Sequence, residues 1–404
     1  MPRVLLYSHD TYGLGHIRRT RAIANALVAA YSDLSVLIIS GSPLAGAFNL
    51  APGIDFVHVP GVEKGEGGGY ASANLRMELN QVTALREALI RQTAESFQPD
   101  VFIADKEPGG FRGELLPTLK VLKAMGTHRV IGIRDVLDDP EAIRSEWAET
   151  GALRALTEFY DDILVYGPED FYRPLDSIPM PAELRSRIVY TGYLRRSVPH
   201  GPPSIRYPKS AKGPYILVTT GGGADGYGLI DWVLSAYEAV PNIPLPAVIA
   251  FGPFLSTTQR RAFLERIDKL PNVDAVNFDN KLERAMSRAS AVVGMGGYNT
   301  FCEILSFDKP ALIVPRSRPR LEQTIRAQRA EELGLVRFLP DPLEMGGKPD
   351  PAIMASALSA LCRQSPPSAA TIPGLLDGLP RIARHLAPTL VSSVRIREPA
   401  ISGA

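Results

Sequence analysis

Three stretches of this chain set glycines beside groups that can move a proton or hold an anion. The first is Ser8-His-Asp-Thr-Tyr-Gly-Leu-Gly-His-Ile-Arg-Arg19. An apolar run ends there, Gly13 and Gly15 allow a tight turn, and a helical period opens near His16. An imidazole titrates near working pH, so His16 is suited to act as a general base. The helix N-terminus would hold it neutral and favour an anion beside Gly15. The alternative is a capping or part-buried structural histidine. The strand–Gly-x-Gly–helix setting favours the base. Arg18 stands where the dinucleotide fingerprint needs its third glycine.

The second stretch, Thr219-Thr-Gly-Gly-Gly-Ala-Asp-Gly226, also joins a strand to a helix. Backbone at Gly221, Gly222 and Gly223 can wrap a phosphate, and Thr219 or Thr220 can add a hydroxyl. The competing reading is a plain turn. No lysine follows in the P-loop position.

The third stretch, residues 292–323, reads strand, glycine turn, helix, short turn, strand, loop and helix start. Gly294, Gly296 and Gly297 permit a sharp turn, and Asn299 or Thr300 is expected to cap the helix. Glu303 is placed to accept hydrogen bonds from adjacent ribose hydroxyls, or merely to complement the helix dipole. Arg316 is a candidate phosphate clamp, whereas Arg318 and Arg320 read as a solvated basic loop. Glu322 and Gln323 open the next helix and suit sugar hydroxyls. The order suits a nucleotide-sugar pocket.

Asp105 and the pair Arg134-Asp135 each end a strand, where acceptor-contacting residues would lie; Asp135 reads equally as a helix cap. No metal site is expected, and Asp138-Asp139 and Asp161-Asp162 read as surface pairs.

These groups need two scaffolds. Strands are expected at Val4–Ser8, Ser35–Ser40, Phe56–Val59, Asp100–Ala104, His128–Ile133, Asp162–Tyr166 and Val189–Gly192. Helices are expected over Ile17–Ala30, Leu75–Ser96, Glu114–Ala124 and Ala142–Leu156. The segment 197–214 is proline-rich and without hydrophobic period, the expected linker between a first domain at 1–196 and a second at 215–370. The second alternates again, with strands at Tyr215–Thr219, Ala247–Phe251, Val273–Phe278, Ala291–Gly294, Ala311–Val314 and Val336–Leu339. Residues 371–404 read as a terminal helix and mobile tail. The fold class is α/β: two doubly wound, Rossmann-like domains facing a cleft.

Composition narrows the function classes. The chain has 404 residues, 45% hydrophobic and 22% charged, with Lys+Arg 44 against Asp+Glu 43. That balance argues against a nucleic-acid partner. Cys302 and Cys362 lack disulfide-scaffold or metal-ligand spacing. No apolar run reaches bilayer-spanning length, and the N-terminus lacks the form of a signal peptide. A cytoplasmic protein is expected, with peripheral contact at the inner face of the membrane left open.

Gly-Leu-Gly-His at 13–16, Gly221–Gly223, Gly-Gly-Tyr-Asn-Thr-Phe-Cys-Glu-Ile-Leu at 296–305, Lys309-Pro-Ala-Leu-Ile-Val-Pro315 and Glu322-Gln323 resemble the two-domain GT-B glycosyltransferases. The nearest branch is family 28, which contains the peptidoglycan N-acetylglucosaminyltransferase. The resemblance implies a metal-independent, inverting hexosyl transfer from a nucleotide sugar, most often UDP-linked, with no cofactor. It puts Glu303 on the ribose, Gly221–Gly223 at the diphosphate, Glu322 and Gln323 near the donor sugar, and His16 at the N-terminal glycine-loop histidine. Glu322 replaces the usual glutamine, and the first loop has fewer glycines. The resemblance implies polysaccharide or glycoconjugate synthesis and leaves the acceptor open among a saccharide, a lipid-linked molecule and a small molecule. Two alternatives are a nucleotide-sugar 2-epimerase and a non-catalytic nucleotide-sugar-binding partner protein.

Overall fold

The computed structural model describes residues 1–9, 15–43, 45–47, 50–64, 69–199, 201, 205, 207–222, 225–277, 279, 281–316, 318–342 and 346–390. Gly13, Gly223 and the tail beyond Leu390 lie outside them. The chain divides into two compact units, one built from residues up to Leu194 plus the segment from Gly374, the other from Arg195–Pro373.

The first unit runs β1 (Arg3–Ser8), α1 (Gly15–Ala30), β2 (Ser35–Ser40), β3 (Ile54–His58), β4 (Val62–Lys64), β5 (Tyr70–Ser72), α2 (Leu79–Phe97) and β6 (Val101–Asp105). It continues through α3 (Leu116–Ala124), β7 (His128–Arg134), α4 (Pro140–Thr150), α5 (Ala152–Phe159), β8 (Asp162–Tyr166), α6 (Ala182–Arg185) and β9 (Ile188–Tyr190). Seven strands form one parallel sheet in the order β3-β2-β1-β6-β7-β8-β9. Val4, Leu5, Val101, Phe102, Val130 and Ile131 are each 0% exposed, because helices cover both faces of the sheet.

In the second unit β10 (Ile216–Thr219), α7 (Tyr227–Ala239), β11 (Ala247–Ala250), α8 (Thr257–Ile267), β12 (Val273–Val276) and α9 (Glu283–Arg288) come first. β13 (Ala291–Gly294), α10 (Tyr298–Ser306), β14 (Ala311–Ile313), α11 (Glu322–Glu332), β15 (Arg337–Phe338) and α12 (Pro351–Leu361) follow. Its six-stranded parallel sheet has the order β12-β11-β10-β13-β14-β15. Tyr207 Oη donates to Asp279 Oδ2 at 2.7 Å, and Ser210 Oγ donates to Asp274, so part of the proline-rich segment packs onto this unit.

The last helix, α13 (Gly378–Leu390), belongs to the first unit and packs on α1, where Tyr31 Oη donates to the Ala383 carbonyl at 2.6 Å.

Several local expectations change. The helix expected over Ala142–Leu156 is two helices, because Gly151 takes φ +68° and ends α4. The helix expected from Leu75 starts at Leu79, after Glu78 and Gln81 form a capping box; Tyr70–Ser72 pairs instead with Val62–Lys64. α8 has too few apolar residues for a clear period, and its capping box of Ser256 and Gln259 marks it.

The aspartate pairs are structural rather than surface pairs. Asp139 caps α4 by accepting from the Glu141 and Ala142 amides, and Asp138 is buried. Asp162 Oδ2 lies 2.7 Å from His128 Nε2 and 2.8 Å from His385 Nε2, fastening α13 to β8.

Candidate active site

The strand order of the first unit reverses between β1 and β6, and α/β sheets bind ligands beyond the strand carboxyl ends at such a point. β1 ends beside His9, α1 opens with Gly15 and His16, and β6 ends on Asp105. His16 Nδ1 lies 2.5 Å from Asp105 Oδ2. Arg19, one helical turn past His16 and 2% exposed, grips the same carboxylate. Its Nε donates to Oδ1 at 2.8 Å, and its Nη2 approaches both oxygens at 2.6 Å.

This geometry sets the protonation of the histidine. Burial pushes the Asp105 pKa up, but the charges and hydrogen bonds of Arg19 and His16 outweigh it and hold the carboxyl well below its usual range. An ionised carboxylate only accepts, so Nδ1 carries the proton and Nε2 keeps its lone pair. Burial is the first cause lowering the His16 pKa; Asp105 opposes it, and the charges of Arg19 and Lys106 add to it. The neutral imidazole expected from a helix N-terminus thus has burial as its main source.

A second histidine lies beside the first. The His9 ring packs edge-on against His16, with centroids 5.7 Å apart. Burial first, then the charges of Lys106 and His16, lower the His9 pKa well below the imidazole range. His9 Nδ1 lies 3.4 Å from Tyr7 Oη, which donates to Glu114 Oε1 at 2.6 Å. Arg86 donates to both Glu114 oxygens at 2.6 Å, and the pair is fully buried.

The second unit repeats the topology, with the reversal between β10 and β13 and Thr219 in register with Gly294. Gly221 takes φ +64° just after β10. Gly296 takes φ +77° after β13, and a Cβ there would stand 2.7 Å from Ile313 Cγ2, so glycine is required. Gly297 is the N-cap of α10 and makes no side-chain cap bond. Asn299 and Thr300, expected as caps, lie within the helix; Asn299 Oδ1 accepts instead from Arg196 at 2.7 Å. A Cβ on Gly221 would lie 3.9 Å from Thr300 Oγ1, so the loop after β10 abuts the start of α10. Among the described residues, the buried Thr220 Oγ1 has no hydrogen-bond partner.

Arg316 ties two parts of this region together. Its Nε lies 3.0 Å from Asp225 Oδ2, and its Nη2 donates to Glu322 Oε1 at 3.1 Å. The Arg316 amide donates to Gln323 Oε1 at 3.3 Å. Glu322 and Gln323 open α11 and are buried, and among the described residues Glu322 Oε2 has no partner. Glu303 is 2% exposed inside α10.

Residues 216–341 match the glycosyltransferase family 28 C-terminal domain. The second unit thus resembles the donor domain of family 28, and the chain as a whole has the GT-B fold. Solved structures share the fold across nearly its full length. TcCGT1, solved in complex with UDP, is 13% identical with a TM-score of 0.64, over 96% of this chain and 99% of that one. Acinetobacter baumannii MurG is 12% identical with a TM-score of 0.58, over 97% and 99%. CalG4, the calicheamicin glycosyltransferase, is 15% identical with a TM-score of 0.55, over 97% and 99%. No curated protein matches in sequence.

Within this GT-B fold the structure brings together His16 and Asp105 in the first unit. In the second it brings together Thr220, Gly221 and Thr300, and Arg316 with Glu322 and Gln323. Asp135 is fully buried and accepts from Tyr193 Oη at 2.7 Å; Arg134 ends β7 beside it. Sequence reading missed His9, Arg19 and the Arg86–Glu114 pair. The spacing of Arg19 three residues past His16 on one helix face was a usable signal. Nothing in the sequence joins Arg86 to Glu114. Among the described residues no group of three or more His, Cys, Asp or Glu could hold a metal ion, and no helix is long and apolar enough to cross a membrane.

Proposed function

We propose that this protein is a glycosyltransferase that moves a hexose-type sugar, with inversion, from a UDP-linked donor to the hydroxyl of a saccharide, lipid-linked or small-molecule acceptor. The reading rests chiefly on the His16–Asp105 contact of 2.5 Å, which leaves a part-buried imidazole with a free Nε2 lone pair. That is the arrangement a general base requires, and it lies at the strand-order reversal where ligands bind.

Each unit contributes one part of the reaction. In the second, the Gly221–Gly222 loop and the N-terminus of α10 receive the diphosphate, with Thr220 Oγ1 as a further donor. Glu303 takes the ribose hydroxyls, and Glu322 and Gln323 the donor sugar. In the first, His16 Nε2 removes the acceptor hydroxyl proton as the oxygen attacks the anomeric carbon. The bond from that carbon to the diphosphate oxygen breaks, and the nucleoside diphosphate leaves with the electron pair. Helix and loop amides meet its charge. Attack opposite the leaving group inverts the anomeric centre. The relevant pathway is polysaccharide or glycoconjugate synthesis.

The test is a thermal-shift screen of nucleoside diphosphates and their sugars, followed by turnover with His16→Ala. UDP should stabilise the wild type and His16→Ala alike, while only the wild type transfers sugar. Equal transfer by both proteins would remove His16 as the base.

A further inference from the structure

A histidine–carboxylate pair is usually described as two residues, but here the carboxylate is shared with a third. Arg19 is 2% exposed and reaches both Asp105 oxygens, and its Nη2 lies 3.1 Å from His16 Nδ1. Its guanidinium carbon also sits 6.0 Å from the centroid of the buried Tyr166 ring. Asp105 is therefore held by a rigid planar fork on the same helix as the histidine it serves. The helix fixes the spacing of His16 and Arg19, and the fork fixes the carboxylate between them.

We propose that Arg19 is a positioning residue for the base: its fork aims the Asp105 carboxylate at His16 Nδ1 and keeps it an acceptor only. The inference rests on the reading of His16 as the base. Two consequences follow. A proton taken from the acceptor stays on the imidazole, because the carboxylate next to it is already paired with a cation. The guanidinium also opposes the charge His16 gains, so the imidazole releases its proton at lower pH than Asp105 alone would allow.

Other charged and titratable groups face this site. Lys106 follows Asp105 and is ion-paired with Glu107 at 2.8 Å. His9 packs on the His16 ring, with Tyr7, Glu114 and Arg86 behind it. None of these touches Asp105 as Arg19 does in the contacts described above, so the effect of Arg19 is separable by substitution.

The experiment uses the full-length protein with Arg19→Gln and Arg19→Lys. The midpoint of the His16 ring titration is read by NMR without substrate, assigned with His16→Ala, alongside the pH profile of kcat/KM. Arg19→Gln removes the cation, so the His16 midpoint and the rising limb of the profile should both move to higher pH. Arg19→Lys keeps a charge but loses the fork. It should hold the midpoint nearer the wild type while kcat falls on the order of tenfold to a hundredfold through lost orientation. An unmoved midpoint and an unchanged kcat in folded Arg19→Gln would overturn the proposal, leaving Arg19 a packing residue. Transfer by His16→Ala at the wild-type rate would overturn the base reading instead. The NMR midpoint still decides whether Arg19 governs His16.

Discussion

His16 Nδ1 and Asp105 Oδ2 stand 2.5 Å apart although 89 residues separate them in the chain. The contact exists because β1 and β6 are neighbours in the sheet, which brings the start of α1 to the end of β6. Replacing Asp105 by Asn removes the fixed acceptor and frees the ring to take the wrong tautomer. His16→Ala should lower kcat by about 10²–10⁴-fold, and Asp105→Asn by a similar order, with UDP affinity nearly unchanged in both. Steady-state kinetics beside calorimetric UDP titration checks this. A loss of UDP binding matching the loss of rate would count against it.

The rate should rise with pH as His16 loses its proton. Burial lowers its pKa from the ordinary 6.5, so the midpoint of the rising limb of kcat/KM should fall below 6.5. A midpoint at or above neutrality would mean that another group is the base.

Glu303 and Gly226 test the donor end separately. Glu303→Ala should weaken UDP binding by about tenfold or more, the worth of a charge-assisted hydrogen bond. A Cβ on Gly226 would stand 2.3 Å from Thr220 Cβ, so Gly226→Ala must displace Thr220. It should weaken UDP binding while His16 titrates as in the wild type. Unaltered UDP affinity in both variants would move the diphosphate elsewhere.

The Arg86–Glu114 pair is buried, so removing one member strands a charge. Arg86→Leu should cost about 3–5 kcal/mol in denaturant unfolding. Combining it with Glu114→Leu should recover part of that loss. No recovery in the double variant would mean that the single change acts through packing.

His385 has a raised pKa, chiefly from its hydrogen bond to Asp162. Its protonated form is therefore favoured in the folded state. The stability this contributes is complete below 6.5 and is lost as pH rises through the raised folded value. His385→Gln should cost about 1 kcal/mol at pH 6, with the deficit shrinking at alkaline pH. Melting curves at the two pH values decide it, and a deficit that grows with pH would reverse the sign.

Strand and helix identities were readable where apolar runs were long. β2, β8 and β13 appear at the expected residues because both sheet faces are covered and each strand is built around a continuous apolar run. The same local signals failed at helix ends. Gly151 and the Glu78 capping box moved boundaries that hydrophobic period alone does not mark.

By itself, the sequence determined two α/β units with glycine turns after particular strands, because strand burial, turn conformation and helix period are local properties of neighbouring residues. It also marked His16, Asp105, Glu303 and Glu322 as candidates by type and position. Only the tertiary structure decided which of them meet. Asp105 reaches His16 and Arg19, whereas Asp135, at an equivalent strand end, is buried against Tyr193. Strand order causes that difference: β6 lies beside β1 at the reversal of the sheet, and β7 lies one strand further out. Pairing between distant strands has no local signature, so the partner of each charge appears only once the sheet is assembled.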